Sequence, residues 1–224
     1  MTVRTAPPIS SLAFYADLAR SYDELALISP AFPSATMIYN LMSGHLSIDD
    51  MRVLDVGIGT GLSSEPFAAD GFDVTGVDGS GPMLKLCAEK GIAQNLFEVD
   101  FTTSPLPFQN GAFDAAFSAN TFYLLPAAAQ EHVITELSRV TKPGGLFAFN
   151  YEPRRPGDLG IRFNDATLNP RNPHSVITYA LEPERVHTLL AQHQIGIVAA
   201  DTRIVARKLA GLPIQFETLI CRAP

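Results

Sequence analysis

The chain has 224 residues, 46% of them hydrophobic, and a formal net charge of −7. That is apolar material enough for the core of one α/β domain with additions, while an acidic chain without a basic run lacks the cationic surface that nonspecific nucleic-acid binding needs. Two cysteines outside any CxxC pair, Cys87 and Cys221, argue against a zinc site or a disulfide framework, and no apolar run reaches transmembrane length. Met1 to Ser10 is polar and proline-containing, without the charged-then-apolar layout of a signal peptide, so a soluble cytoplasmic protein is the expectation. Leu12, Tyr15, Leu18, Ala19 and Tyr22 recur at three- and four-residue intervals and predict a helix over 11–27. A loop with Pro30 and Pro33 separates it from a second helix over 34–46.

Residues 52–61 read Arg-Val-Leu-Asp-Val-Gly-Ile-Gly-Thr-Gly. Val53, Leu54 and Val56 form a short apolar run suited to a strand buried in a parallel sheet. The three alternating glycines let a ligand lie directly against the backbone. A helix near 62–69 follows, and Pro66 predicts that it starts late or is irregular, because proline is tolerated only in a first turn. A second strand, about 73–77, ends at Asp78, at the spacing (~20 residues) by which one βαβ unit places a carboxylate beside a nucleotide ribose. Ser80 is placed to cap the next helix, with Pro82 in its first turn, Met83, Leu84 and Cys87 on its buried face and Gly91 ending it.

Strands are expected at about 96–100 and 113–118, then a helix over 127–140 with Val133, Leu137 and Val140 on one side. Pro143-Gly144-Gly145 predicts a turn into a fifth strand from Leu146 to Asn150. The stretch 151–180 carries Pro153, Pro156, Pro170 and Pro173 and little periodicity, so it reads as irregular; a stretch of that length inside a domain is functional or mobile. A helix over 183–193, with Pro183 in its first turn, precedes two β-branched runs, 195–205 and 214–222. Gly211-Leu212-Pro213 between them predicts an antiparallel hairpin with a long loop.

The glycine pattern is G-x-G-x-G, and Leu62 stands where a dinucleotide fold wants its third glycine. Asp55, directly before the loop, suits a phosphate-free, positively charged ligand better than a pyrophosphate. The run Leu54-Asp55-Val56-Gly57-Ile58-Gly59-Thr60-Gly61 closely resembles that of the class I S-adenosylmethionine-dependent methyltransferases. So do Val77-Asp78-Gly79-Ser80, Glu98-Val99-Asp100-Phe101, Phe113-Asp114 and Leu137-Ser138-Arg139-Val140-Thr141-Lys142-Pro143-Gly144-Gly145, in that order over about residues 50–150.

The resemblance implies a Rossmann-like seven-stranded α/β sheet in the order 3-2-1-4-5-7-6, mostly parallel, with a C-terminal antiparallel hairpin and helices on both faces. It implies one methyltransferase domain over 1–224: an N-terminal helical lid (1–46), a cofactor-binding core (50–150), a substrate-side insertion (151–180) and a C-terminal helix and hairpin (181–224). The cofactor implied is S-adenosyl-L-methionine, with S-adenosyl-L-homocysteine as product, and the kin include ubiquinone- and natural-product-type enzymes. Gly57, Gly59 and Gly61 would border its methionine part, and Asp55 would brace the loop or meet the ammonium through water. Asp78 would accept both ribose hydroxyls, and Gly79, Ser80 and Met83 would line ribose and adenine. Asp100 would accept the adenine amine, and Phe101 would lie beside the ring. Ser118 would offer backbone contacts to the cofactor ammonium, Asn120, at the crevice mouth, would touch cofactor or acceptor, and Tyr22, followed by Asp23, would close over the cofactor.

Methyl transfer from a sulfonium is an in-line displacement, which asks for alignment and exclusion of water more than for a base. His174, in the irregular stretch, is the candidate base; His45, His132, His187 and His193 read as surface or structural. The partner expected is a small-molecule acceptor, with no nucleic acid and no membrane, and the chain a monomer or homodimer. Two other readings stay open: a nicotinamide-dependent oxidoreductase, and a protein that binds the cofactor without transferring a methyl group.

Overall fold

The structure, a computed structural model, describes residues 6–28, 35–47, 51–155, 157, 160–164, 174–209 and 212–224. In chain order the elements are β1 (Ala6–Ile9), α1 (Ser11–Ile28), α2 (Met37–Met42) with a 3₁₀ turn (Ser43–His45), β2 (Arg52–Val56), α3 (Glu65–Ala69), β3 (Asp73–Asp78), α4 (Gly81–Lys90) and β4 (Asn95–Glu98). Then come β5 (Phe113–Ser118), a 3₁₀ turn (Phe122–Leu124), α5 (Ala127–Val140), β6 (Thr141–Tyr151), β7 (Ile161–Asn164), β8 (His174–Tyr179), α6 (Pro183–Gln192), β9 (Gly196–Leu209) and β10 (Leu212–Arg222).

Seven strands form one sheet in the order β4-β3-β2-β5-β6-β10-β9. The first five pair in parallel, and β10 runs antiparallel to both β6 and β9. Numbered within this sheet alone, the order is the expected 3-2-1-4-5-7-6. The alternation of side chains along each strand divides the core in two. Leu54, Val56, Ala116, Phe147, Phe149 and Leu219 face α5 and α6, meeting Val133, Leu137, Val140, Val186 and Leu190. Val53, Val74, Ala115, Phe117, Ala148 and Ile220 face the other way, against Ile38 and Met42 of α2, Phe67 of α3 and Leu84 and Cys87 of α4. Both faces are covered, which is why β2 reads as a continuous apolar run.

α3 starts late, at Glu65, with Pro66 in its first turn, and Gly91 ends α4 in the left-handed conformation (φ 66°). Four expectations need correction. The second helix is shorter, ending at Met42. Pro143-Gly144-Gly145 lies inside β6: Phe113 pairs with Thr141 but Ala115 pairs with Leu146, so the intervening residues bulge out of the ladder, with Gly144 at φ 76°. The C-terminal hairpin has no long loop, since Leu212 pairs with Leu209.

The fourth correction is the largest. The stretch 151–180 contains two strands, β7 and β8, which pair antiparallel; β1 pairs parallel with β8, completing a small sheet in the order β1-β8-β7. Pro7 and Pro8 sit in β1, an edge strand, where a missing N–H is tolerated. Pro153 forms only an isolated bridge with Leu181, and Pro170 and Pro173 lie outside the described residues. Val176 of this sheet packs with Phe14 and Leu18 of α1 and with Leu124, fastening the small sheet to α1 beyond the carboxyl ends of β2 and β5.

Candidate functional site

In open α/β sheets a crevice forms beyond the carboxyl ends of the strands where the strand order reverses, here between β2 and β5. The loop leaving β2 turns at Gly57, whose φ is 84° and where an added Cβ would lie 2.4 Å from the Thr121 hydroxyl oxygen; no other residue fits. The amides of Gly57 and Ile58 both donate to the Val77 carbonyl, at 2.8 and 3.0 Å, which ties the loop to the end of β3. Gly61 serves packing instead. An added Cβ there would lie 2.9 Å from Ile92 and 3.0 Å from the Cys87 sulfur, so the glycine lets the loop settle on α4. Gly57 and Gly59 line the cavity at this crevice, whereas Gly61 does not.

Asp55 is 1% exposed. Its Oδ2 accepts a 2.7 Å hydrogen bond from the Ser64 hydroxyl, and its Oδ1 has no partner among the described residues. Burial pushes its carboxyl up to about 8; the Ser64 hydrogen bond opposes that rise, and the neighbouring Asp78 charge adds to it. Asp78 bridges the loop and α4: Oδ2 accepts from the Gly59 amide at 2.9 Å, and Oδ1 from the Ser80 amide at 2.8 Å. Burial raises its pKa despite these amide bonds. Each oxygen keeps a second lone pair for a ligand on the cavity side.

Ser80 does not cap α4 with its side chain; its buried hydroxyl oxygen has no partner among the described residues, and Ser80 lines the cavity. Gly79 lies under Leu12 of α1, whose Cδ2 is 2.7 Å from where a Cβ would sit. Met83 is both core and lining. Asp100 is exposed and accepts hydrogen bonds from the Thr102 amide and hydroxyl, which hold its carboxyl below the usual range; Phe101 beside it is buried, and both line the cavity. Ser118 is elsewhere: its hydroxyl donates to the Val56 carbonyl at 2.7 Å, stitching β5 to β2, and the wall there belongs to Ala119, Asn120 and Thr121.

Above the crevice, Tyr15 and Tyr22 of α1 line the cavity with rings edge to face 5.7 Å apart. Burial drives the Tyr22 hydroxyl's pKa well up, and nearby Tyr15 and Asp23 reinforce this. Asp23 binds downward twice, accepting from the Thr60 hydroxyl of the glycine loop and pairing with Lys90 of α4. His174 opens β8, and its side chain lies outside the described residues. Sequence reasoning missed Leu12, Leu27, Leu62, Thr121 and Leu124 of the lining. The first two lie on the predicted helix, but only the fold says which of its faces meets the crevice.

The cavity has a volume of about 400 Å3, within the range (~300–1,000 Å3) of small-molecule sites. Among the described residues its lining holds three carboxylates, Asp55, Asp78 and Asp100, and no lysine, arginine or histidine. A pyrophosphate there would meet like charge and no cation. A cationic ligand meets a buried carboxylate oxygen waiting for a donor. These residues fit S-adenosylmethionine, whose ammonium and sulfonium are positive and which carries no phosphate.

Residues 54–149 match the methyltransferase domain family. Demethylmenaquinone methyltransferase of Renibacterium salmoninarum is 39% identical over 99 residues, covering 44% of this chain and 40% of that protein. Malonyl-[acyl-carrier protein] O-methyltransferase of Pectobacterium atrosepticum is 29% identical over 199 residues, 87% of this chain and 74% of that protein. The chain spans only 36–53% of the length of several curated relatives it matches. Magnesium protoporphyrin IX methyltransferase from Synechocystis, solved with bound S-adenosylmethionine, superposes with a TM-score of 0.64 at 13% identity, over 96% of this chain and 98% of that one, a likeness of fold.

The fold is the Rossmann-like fold of the solved methyltransferases on which it superposes. Residues 54–149 are similar to the methyltransferase domain family, and the chain shares its fold with solved S-adenosylmethionine-dependent methyltransferases. No helix among the described residues is long and apolar enough to cross a membrane.

Proposed function

We propose that the chain is an enzyme that transfers a methyl group from S-adenosylmethionine to a small-molecule acceptor. The observation that carries this reading is the cavity: three carboxylates, no cation among the described lining residues, and the unpartnered Oδ1 of Asp55 at its floor. Asp55 would receive the cofactor ammonium, and Asp78 the ribose hydroxyls. Ser80, Met83 and Phe101 would enclose the adenosine, with Asp100 at its amine. When bound, the cofactor supplies an electrophilic methyl group on a positively charged sulfur. The residues around it orient the acceptor and exclude water.

In the same proposal α1 and the small sheet β1-β8-β7 form a lid over the acceptor, supported by their joint packing through Phe14, Leu18 and Val176. His174, on that sheet, stays the candidate base for acceptors that must lose a proton. A cytoplasmic setting belongs to the proposal too: Cys87 and Cys221 are free and buried, which fits a reducing compartment. The chain would act as a monomer or homodimer without nucleic-acid or membrane partners. The relatives' names carry different acceptors (demethylmenaquinone, a malonyl group on acyl-carrier protein, magnesium protoporphyrin IX), so the acceptor must be read from this cavity.

Titration calorimetry tests the cofactor reading. S-adenosylmethionine and S-adenosylhomocysteine should bind, and NAD should not. Asp78→Ala should weaken both by tenfold or more, since one charge-assisted hydrogen bond is worth roughly 1.5–3 kcal/mol and tenfold is about 1.4 kcal/mol. Binding of NAD alone, or unchanged affinity in a folded Asp78→Ala, would refute the assignment.

A further inference from the structure

Besides its carboxylates, the cavity has a lining rich in leucine. Leu12 and Leu27 of α1, Leu62 of the glycine loop, and Leu124 and Leu125 after β5 all line it. Leu12 is 44% exposed and Leu27 71%. Exposed leucines beside a cavity gain free energy when an apolar molecule covers them. An anionic acceptor would enter facing Asp55, Asp78 and Asp100 with no cation among the described lining residues to offset them.

Asn120 also lines the cavity, and its side-chain orientation is fixed. Asn120 has φ 57°, in the left-handed region that asparagine tolerates better than most residues. Its backbone amide donates to Oδ1 of Asn150 at 2.7 Å. A backbone amide is always a donor, so the Asn150 atom it meets must be the oxygen. Asn150, at the carboxyl end of β6 and 0% exposed, therefore turns its NH2 to Asn120, and Nδ2 donates to Oδ1 of Asn120 at 2.8 Å. That leaves the Asn120 NH2 facing away from Asn150, on the residue that lines the cavity, with no described residue accepting from it.

We propose that Asn120 is the donor that orients the methyl acceptor, that Asn150 is the positioning residue that fixes its direction, and that the acceptor is an uncharged, mainly apolar compound presenting an oxygen acceptor such as a carbonyl. This rests on the methyltransferase reading and gives Asn120 to the acceptor, of the two ligands its place at the crevice mouth left open. Asn150 acts only through Asn120: it pins the left-handed backbone with one bond and the amide rotamer with the other.

Three compounds of nearly one shape separate charge from hydrogen bonding: 1-acetylnaphthalene, 1-isopropylnaphthalene and 1-naphthoate. Each is titrated by its fluorescence into the full chain saturated with S-adenosylhomocysteine, whose own affinity is measured first. The acetyl compound should bind about threefold to tenfold more tightly than the isopropyl compound, the range of one net neutral hydrogen bond. It should exceed the naphthoate by tenfold or more.

Asn120→Gly keeps the left-handed backbone without strain and removes the amide. Asn150→Asp still accepts from the Asn120 backbone but cannot donate, so the Asn120 amide can reverse. Both variants should lose the preference for acetyl over isopropyl while binding S-adenosylhomocysteine within twofold of the parent. Naphthoate binding as tightly as the acetyl compound would overturn the uncharged acceptor. A preference retained in both variants, or a large loss of S-adenosylhomocysteine affinity in either while folded, would overturn the role of the pair. Failure of the parent chain to bind S-adenosylhomocysteine would strike the methyltransferase reading itself, and this one with it.

Discussion

Asp55 has one oxygen hydrogen-bonded and one empty-handed, in a site that is 1% exposed. Its carboxyl titrates near 8 in the fold and near 3.9 in an unfolded chain. The native state thus holds a proton that the unfolded state has released between those values, and stability contributed by this group falls as pH rises from about 4 to 8. Asp55→Asn should therefore be more stable than the parent at pH 7.5, by about 1 kcal/mol or more, with the gap closing toward pH 4 in urea denaturation. The same variant should bind S-adenosylmethionine about tenfold more weakly, because the ammonium loses its carboxylate. Parent affinity should rise with pH toward 8, since a cation beside Asp55 favours its ionised form. Identical urea midpoints across this pH range would sink the assignment. Asp55 and the glycines were legible in the sequence because they adjoin in one short run, and Asp78 because it follows them at the spacing of one βαβ unit. The Asn120–Asn150 pair was not, because it joins two strands brought side by side only by the sheet.

At the scale of elements, Asp23 ties α1 to the glycine loop and to α4. Asp23 accepts from Thr60 and pairs with Lys90, so it closes the tyrosine-bearing face of the helix over the crevice. Both members of the ion pair are about a third exposed (31% and 32%), so salt weakens it. Asp23→Ala should release S-adenosylhomocysteine severalfold faster in stopped-flow displacement. Asp23→Asn, which keeps the Thr60 acceptor but not the charge, should lie between the two and lose most of the salt dependence. An unchanged release rate in Asp23→Ala would show that α1 does not govern exchange. Elements defined by local pattern (β2, β5, α5) were read to the residue, since apolar periodicity and cap residues lie within each segment. β1, β7 and β8 escaped: short strands gain stability from partners far along the chain, and Pro7-Pro8 reads as a breaker unless one knows that β1 is an edge.

At the scale of the whole molecule, the sheet order followed from resemblance, while its physical warrant is the double covering of β2, β3 and β5 by helices on both faces. The carboxylate-lined cavity has a further consequence for turnover. Fresh cofactor carries one more positive charge than spent cofactor, because only the fresh form is a sulfonium. A crevice with three acids and no cation among its described lining residues weighs the two differently. It retains the form that can still react and loosens its grip once the charge is gone, so electrostatics alone gives the exchange a direction. Screening should erase that bias: the ratio of S-adenosylmethionine to S-adenosylhomocysteine affinity should fall between low salt, where charges are felt over about 30 Å, and high salt, where they reach about 3 Å. A ratio indifferent to salt would mean that shape, and not charge, tells fresh from spent.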